Sequence, residues 1–115
     1  MWLSACSAGD GRGGAERPAD LWDESTIARG EDVFRRHCAI CHGERGDGRG
    51  ARAGSLSSTP RDFTNPLWRD GAEPEALFHT ISHGVAGTAM PPWASALSEE
   101  ERWDVVAHVL NLGRE

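Results

Sequence analysis

The stretch Cys38-Ala39-Ile40-Cys41-His42 decides how this sequence is interpreted. Residues three apart lie on the same face of a helical turn, so the thiols of Cys38 and Cys41 can reach the two vinyl groups of one porphyrin. The histidine that follows at once can direct an imidazole nitrogen at the porphyrin iron. The order Cys-x-x-Cys-His is typical of covalent haem c attachment. We therefore predict that Cys38, Cys41 and His42 bind haem c.

Two other uses of Cys-x-x-Cys agree less well with the rest of the chain. A zinc site needs a second ligand pair with its own spacing. The third cysteine, Cys6, stands alone, and the histidines that remain for such a site are His37, His79, His83 and His108. A thioredoxin-type redox pair needs a βαβ context, and no stretch of this chain alternates as a strand.

Three stretches predict helices. Residues 23–38 place Ile27, Val33 and Phe34 at helical spacing. Residues 73–83 begin near a proline and end before Gly84, and residues 99–112 follow a Ser98/Glu101 capping box. The segments between them, residues 43–66 and 85–96, are long and rich in glycine and proline, and loops of such length usually serve a function. The predicted fold class is all-α, with three or more helices and long loops wrapped around one covalent haem.

Length and composition limit the architecture to one small domain. The chain has 115 residues with 14 glycines and 6 prolines, so the protein core is thin for its length. Its mean hydropathy is −0.51, and no apolar run approaches the ~20 residues that span a bilayer. We expect a bound group to complete the core.

The charge of the chain limits its partners. All 12 basic residues are arginines, against 18 acidic residues, and the net charge is −6. Residues 54–115 carry nine of the acidic residues and only four arginines. Because phosphate binding depends on basic residues, nucleic acid is excluded as a partner, and a basic or apolar protein is favoured.

The first residues have two interpretations. Leu3-Ser4-Ala5-Cys6 resembles the end of a bacterial lipoprotein signal, in which the cysteine receives a lipid anchor. Alternatively, Cys6 is an ordinary thiol in a loose tail. Residues 7–20 have no periodic apolar face and predict a flexible tether. We expect residues 1–20 to be a signal remnant and tether and residues 21–115 to be the domain, with membrane contact only through lipid on Cys6.

Taken together, residues from Ile27 to Leu112 resemble a class I monohaem cytochrome c. The resemblance rests on Gly30 and Phe34 before the Cys-x-x-Cys-His motif, the glycine-rich stretch 43–50 after it, the stretch Gly87-Thr88-Ala89-Met90-Pro91-Pro92-Trp93 and the Trp103 helix. It implies that Met90 is the sixth iron ligand and that Gly30 meets Trp103 where two helices cross. It also implies that the Pro60 carbonyl accepts a hydrogen bond from His42. Trp68 and Trp93 are expected to pack in the haem pocket, and His79 and His83 remain alternative axial ligands.

The resemblance further implies one-electron transfer between redox partner proteins. A methionine sulfur opposite an imidazole raises the reduction potential, which suits a bacterial respiratory chain. With both axial positions filled, no substrate site is left, so we expect a periplasmic carrier and not an enzyme. Two alternatives stay open. One is a haem-based sensor or peroxidase-like enzyme with an open sixth position. The other is a cytochrome c subunit of a larger oxidoreductase complex.

Overall fold

A computed structural model describes residues 16–112 of the chain. This part consists of five α-helices, one short 3-10 turn and no strand, so the all-α prediction is confirmed. Cys6 and most of the predicted tether lie outside the described residues, and the boundary near residue 20 stays a prediction. The helices are α1 (Glu24–His37), α2 (Ala39–His42), α3 (Pro66–Gly71), α4 (Pro74–His83) and α5 (Glu99–Leu112), and the 3-10 turn is Ala53–Ser55.

Helix α1 confirms the prediction for residues 23–38. Its first turn carries Glu24 and its last turn three basic side chains, an arrangement that complements the helix dipole. Arg35 pairs with Glu31 and Arg36 with Asp32, both one turn apart, on the exposed face. The opposite face buries apolar and small residues against the core: Thr26, Gly30, Val33 and Phe34.

Helix α5 begins with the predicted capping box. The backbone N–H of Glu101 donates to Ser98 Oγ at 3.1 Å, and the Ser98 N–H donates to Glu101 Oε1 at 2.9 Å. The helical spacing of four residues predicts one apolar stripe: Trp103, Val106, Ala107 and Leu110. The structure instead buries every residue from Trp103 to Leu110. The reason is that α1 packs on one side of α5 and α4 packs on another. Helix α5 is therefore the centre of the core.

Helices α1 and α5 cross at Gly30. A Cβ atom on Gly30 would overlap the carbonyl oxygen of Asp104 and would lie 3.1 Å from the Cβ of His108. The predicted partner, Trp103, is one residue away from this closest approach. Its ring stacks instead on Phe78 of α4, with centroids 4.2 Å apart and planes at 15°. Gly30 is therefore required by the backbone of α5 and not by an aromatic ring.

An ion pair joins α1 and α5 beside this crossing. Arg29 donates to both oxygens of Asp104, from Nε at 3.2 Å and from a terminal nitrogen at 3.4 Å. Asp104 is only 4% exposed, whereas the side chain of Arg29 is about half exposed. Burial raises the pKa of the Asp104 carboxyl, and the hydrogen bond from Arg29 opposes this rise.

Helix α4 confirms the prediction for residues 73–83. Pro74 occupies its first turn. Gly84 follows its last residue with a positive φ of 71°, and the Gly84 N–H donates a hydrogen bond of 2.8 Å to the Thr80 carbonyl. Ser82 is buried and donates its hydroxyl to the Phe78 carbonyl at 2.8 Å. Arg102 of α5 donates to the same hydroxyl oxygen at 2.7 Å, which ties α4 to α5.

Replacing Gly30 with alanine should lower the free energy of unfolding. Alanine is the better helix former by ~1 kcal/mol, but here its methyl group overlaps the Asp104 carbonyl, and overpacking typically costs about 1–3 kcal/mol. Denaturant unfolding of the cofactor-loaded protein measures the loss. Gly71→Ala is the matched control, because a Cβ on this other helical glycine meets nothing within 4 Å. Equal stability of the two variants would contradict the crossing described here.

Asp104→Asn should change how stability depends on pH. Because the pKa of Asp104 is raised in the fold above its ordinary 3.8, the folded state holds its proton more tightly than the unfolded state. The contribution of Asp104 to stability is therefore greatest below that value and falls as pH rises through the folded pKa. The difference in unfolding free energy between wild type and variant should decline as pH rises from below 3.8 through the folded pKa.

Asp62→Asn serves as the control of opposite sign. Hydrogen bonds from Thr64 lower the pKa of the Asp62 carboxyl. Its contribution to stability should therefore rise with pH over the acidic range. Differences that change with pH in the same direction for both variants would contradict the assigned surroundings of Asp104.

Candidate functional site

The Cys-x-x-Cys-His motif forms one helical turn at the end of α1. The Cys38 N–H donates to the Phe34 carbonyl at 2.8 Å, and the His42 N–H donates to the Cys38 carbonyl at 2.9 Å. Helix α2 then spans Ala39–His42. Cys38 and Cys41 stand at positions i and i+3 of this turn, as the sequence predicts, and they share one face.

The two thiols are free and half-buried. Burial raises the pKa of Cys38 to about 12, and the neighbouring Cys41 adds to the rise. Cys38 is therefore a protonated thiol near neutral pH, whereas metal binding and disulfide exchange use the thiolate. Within residues 16–112, no group of three His, Cys, Asp or Glu side chains is placed to hold a metal ion.

His42 is held on its edge and on its face. Its Nδ1 lies 3.2 Å from the carbonyl oxygen of Arg61, which only accepts, so Nδ1 carries the proton. The Phe63 ring stacks on the imidazole with centroids 4.6 Å apart and planes at 22°. Burial lowers the pKa of His42, and the Arg61 hydrogen bond opposes this only in part. The ring is therefore neutral, and Nε2 keeps its lone pair.

The prediction that the Pro60 carbonyl accepts this hydrogen bond is wrong by one residue. The Pro60 carbonyl is turned toward Gly48, where it lies 3.0 Å from the position that a Cβ would take. The next carbonyl along the chain, that of Arg61, faces His42 instead. Phe63, which the sequence analysis did not select, completes the arrangement because its N–H donates to the Gly46 carbonyl at 2.6 Å. An aromatic residue close after the proline was the only sequence signal for it.

The glycine-rich stretch after the motif is part of the site. Sequence analysis places this stretch in the long loop over residues 43–66, and the structure shows that it is held by ordered hydrogen bonds. The N–H groups of Gly48, Gly50 and Arg52 donate to the carbonyls of His42, Cys41 and Ile40. A Cβ on Gly50 would lie 2.5 Å from the Ala39 carbonyl oxygen, so the close approach requires glycine. The loop thus satisfies the carbonyls that α2 leaves open at its end.

Met90 lies in the loop that follows α4. The Val85 N–H donates to the Met90 carbonyl at 3.3 Å, and the Met90 N–H is 3.2 Å from Thr88 Oγ1. The neighbouring Ala89 N–H reaches Ser58 Oγ of the earlier loop at 3.3 Å. Met90 itself is half-buried. Its role as an iron ligand is not tested by these contacts and stays a prediction.

The two tryptophans assigned to the pocket are both half-buried. The Trp93 ring packs against the His37 ring, with centroids 5.4 Å apart. The backbone N–H of Trp93 donates to the Ile81 carbonyl at 3.0 Å. Trp68 packs against Phe63 at 5.0 Å. Trp68 lies on α3, a helix that sequence analysis missed. The signal was present, because Asn65 caps this helix by accepting from the Leu67 N–H at 2.9 Å and Pro66 follows it.

Several apolar side chains near these segments remain uncovered. Leu67 is 86% exposed and Ile40, between the two cysteines, is 50% exposed. Leu77, Trp68, Met90 and Trp93 are half-buried. A polypeptide of this size gains stability mainly from buried apolar area. The exposed and half-buried apolar surface, together with the two free thiols, fits a flat apolar group such as a porphyrin.

A separate cleft of about 550 Å³ lies between residues 16–20 and the start of α5. Arg29, Trp103 and Asp104 are among its lining residues, and it contains none of the predicted haem-binding residues. The chemistry of the Cys38–His42 turn, and not this cleft, therefore defines the candidate site. No helix within residues 16–112 is both long enough and apolar enough to span a membrane.

The helical fold, the Cys-x-x-Cys-His turn and the neutral, oriented histidine define a c-type cytochrome domain. The sequence profile of the family described as "Cytochrome C oxidase, cbb3-type, subunit III" matches residues 25–109. The chain belongs to this family, and the predicted class of protein is confirmed. Membership implies a haem c cofactor and electron transfer as the class of function.

The relatives are subunits or enzymes of greater length. The chain is 33% identical over 86 residues to the cbb3-type cytochrome c oxidase subunit FixP of Bradyrhizobium diazoefficiens, covering 75% of this chain and 27% of that protein. It is 32% identical over 91 residues to subunit CcoP of Azospirillum brasilense, covering 79% and 30%. A thiosulfate dehydrogenase of Stutzerimonas stutzeri is 33% identical over 87 residues, covering 72% and 26%. The chain thus spans less than a third of the length of these relatives.

Solved structures share the fold. A chain of the reducing HAO-like protein complex of Kuenenia stuttgartiensis superposes with a TM-score of 0.72 at 31% identity, covering 79% of this chain and 45% of that one. The c-type cytochrome KustC0563 gives 0.63 at 25% identity, covering 72% and 95%. Cytochrome cL of Methylophaga aminisulfidivorans gives 0.64 at 22% identity, covering 93% and 66%, and this likeness concerns the fold alone.

Proposed function

We propose that this chain carries one haem c, attached through Cys38 and Cys41 and ligated by His42 and Met90, and that it passes single electrons between redox proteins. The observation that carries the proposal is the state of His42. Its Nδ1 is engaged by the Arg61 carbonyl at 3.2 Å, so the nitrogen available for iron is Nε2. A histidine whose other nitrogen is fixed in this way is typical of a metal ligand.

The cysteines suit covalent attachment. Each thiol is free, and the two stand three residues apart on one turn. Thioether formation adds an S–H group across a vinyl group, so it needs no leaving group. Both cysteines are free thiols and not a disulfide, which is the form that this addition uses.

The Met90 loop suits the opposite side of the haem. Pro91 and Pro92 restrict the backbone directly after Met90. The Gly84 turn contacts this segment so closely that a Cβ on Gly84 would lie 2.7 Å from the Met90 carbonyl oxygen. These contacts support a fixed position for the thioether. Trp93 and Trp68 are half-buried and pack against the apolar core.

The protein and the cofactor have separate parts in the chemistry. When bound, haem c supplies the one-electron change of its iron. His42 and Met90 would ligate the iron, Phe63 holds the imidazole ring, and the buried apolar core would keep water away from the bound group. With both of these residues bound to the iron, the domain would act as a carrier and not as an enzyme.

The relatives favour a place in a respiratory chain. The cbb3-type oxidase subunits suggest that this domain exchanges electrons with a membrane oxidoreductase complex, as a subunit or as its soluble partner. Such a domain belongs on the periplasmic side, where haem c is attached. Lipid on Cys6 would hold it at the membrane, and the acidic residues of the second half would favour a basic docking surface on the partner.

Cys38→Ala combined with Cys41→Ala should give colourless protein. Expressed in a host that matures c-type cytochromes, the wild type should carry the added mass of one haem and the double variant should lack it. Because the protein core is thin, the double variant should also lose most of its helical circular dichroism. Cys6→Ala, which leaves the motif intact, is the control and should keep the haem. A haem-loaded double variant would contradict the proposal.

Met90→Ala should remove the sulfur-to-iron charge-transfer band from the absorption spectrum of the oxidised protein. The wild type should be low-spin, because both axial positions are filled by strong ligands. Val85→Ala, at an exposed position in the same loop, is the control and should keep the band. A high-spin wild type would instead support a sensor or peroxidase-like enzyme with an open sixth position.

A further inference from the structure

The proposed function leaves one pair of metal-binding side chains unused. His79 and His83 stand one turn apart on α4, and both are exposed. Their imidazole centroids lie 4.4 Å apart, with the ring planes at 51°. Two histidines at positions i and i+4 of a helix present their nitrogens on one face, which is the spacing that zinc-binding helices use.

The packing of α4 fixes the direction of this face. Phe78, Ile81 and Ser82 are buried against the core, and Phe78 stacks on Trp103 of α5. Arg102 of α5 also donates to Ser82 Oγ at 2.7 Å. Because these contacts hold the opposite side of the helix, His79 and His83 stay in solvent next to each other. Little conformational freedom would be lost when both rings bind one ion.

The half of the chain that holds this pair is acidic. Residues 54–115 carry nine acidic residues and four arginines. Glu75, one turn before His79 on the same face, is held by Arg17 through two hydrogen bonds of 2.7 and 2.8 Å. Since the described residues offer no third His, Cys, Asp or Glu in a common group, the ion would have two protein ligands and would keep water in its other positions.

We propose that His79 and His83 form a surface site for a divalent transition-metal ion that prefers imidazole, of the Zn²⁺ class. Imidazole nitrogens suit zinc, nickel and copper, whereas calcium and magnesium require oxygen ligands. The site is separate from His42 and Met90 and needs no haem chemistry. Binding across one turn stabilises α4, the helix whose C-terminal Gly84 contacts the Met90 segment.

Isothermal titration of the haem-loaded protein with Zn²⁺ alone tests the site. Zinc has no redox chemistry, so the haem cannot be oxidised or reduced by the probe. The wild type should bind one zinc ion, and His79→Gln and His83→Gln should each weaken binding. Since loss of an outer-shell partner alone costs about 10–100-fold in metal affinity, loss of one of two ligands should cost about tenfold or more.

The matched control moves one histidine without changing their number. In the double variant His79→Gln with Ala76→His, the two histidines of α4 stand seven residues apart, about 10 Å along the helix, and cannot share an ion. Ala76 is exposed, so the change leaves the core intact. The proposal predicts binding as weak as in His79→Gln. Wild-type affinity in this double variant, or in both single variants, would overturn it, and so would a wild type that binds no zinc.

Discussion

The contact between the backbones of α1 and α5 at Gly30 is the constraint on which the domain depends. The two helices approach so closely that only a hydrogen atom fits between Gly30 and the Asp104 carbonyl. This approach buries Phe34 and most of α5. Because the Cys38–His42 turn continues directly from α1, the same crossing fixes where the candidate haem-binding residues lie.

The domain also requires hydrogen bonds from another segment to the backbone carbonyls of the short helix α2. Helix α2 has only four residues and cannot satisfy its own carbonyls. The loop over residues 43–52 donates N–H groups to them, and Phe63 is bonded to the same loop through Gly46. The first part of the predicted long loop over residues 43–66 therefore supports the candidate site.

Local signals in the sequence were sufficient for the long helices. A capping box, a proline in the first turn and a glycine after the last turn predicted both ends of α4 and the start of α5 to within one residue. Contacts between distant segments were not predictable in the same way. The carbonyl that meets His42 is set by how residues 60–63 pass Gly48, and this placed Arg61 where Pro60 was expected. The short helix α3 was missed because six residues show too little periodicity.

The fixed orientation of the His42 ring bears on the rate of electron transfer. The ring is fixed on its edge by the Arg61 carbonyl and on its face by Phe63. A group that is already oriented need not move when the charge beside it changes, so the reorganisation energy that it contributes is small. If His42 ligates the iron as proposed, a ring held this rigidly would keep the nuclear barrier to electron transfer low in both directions.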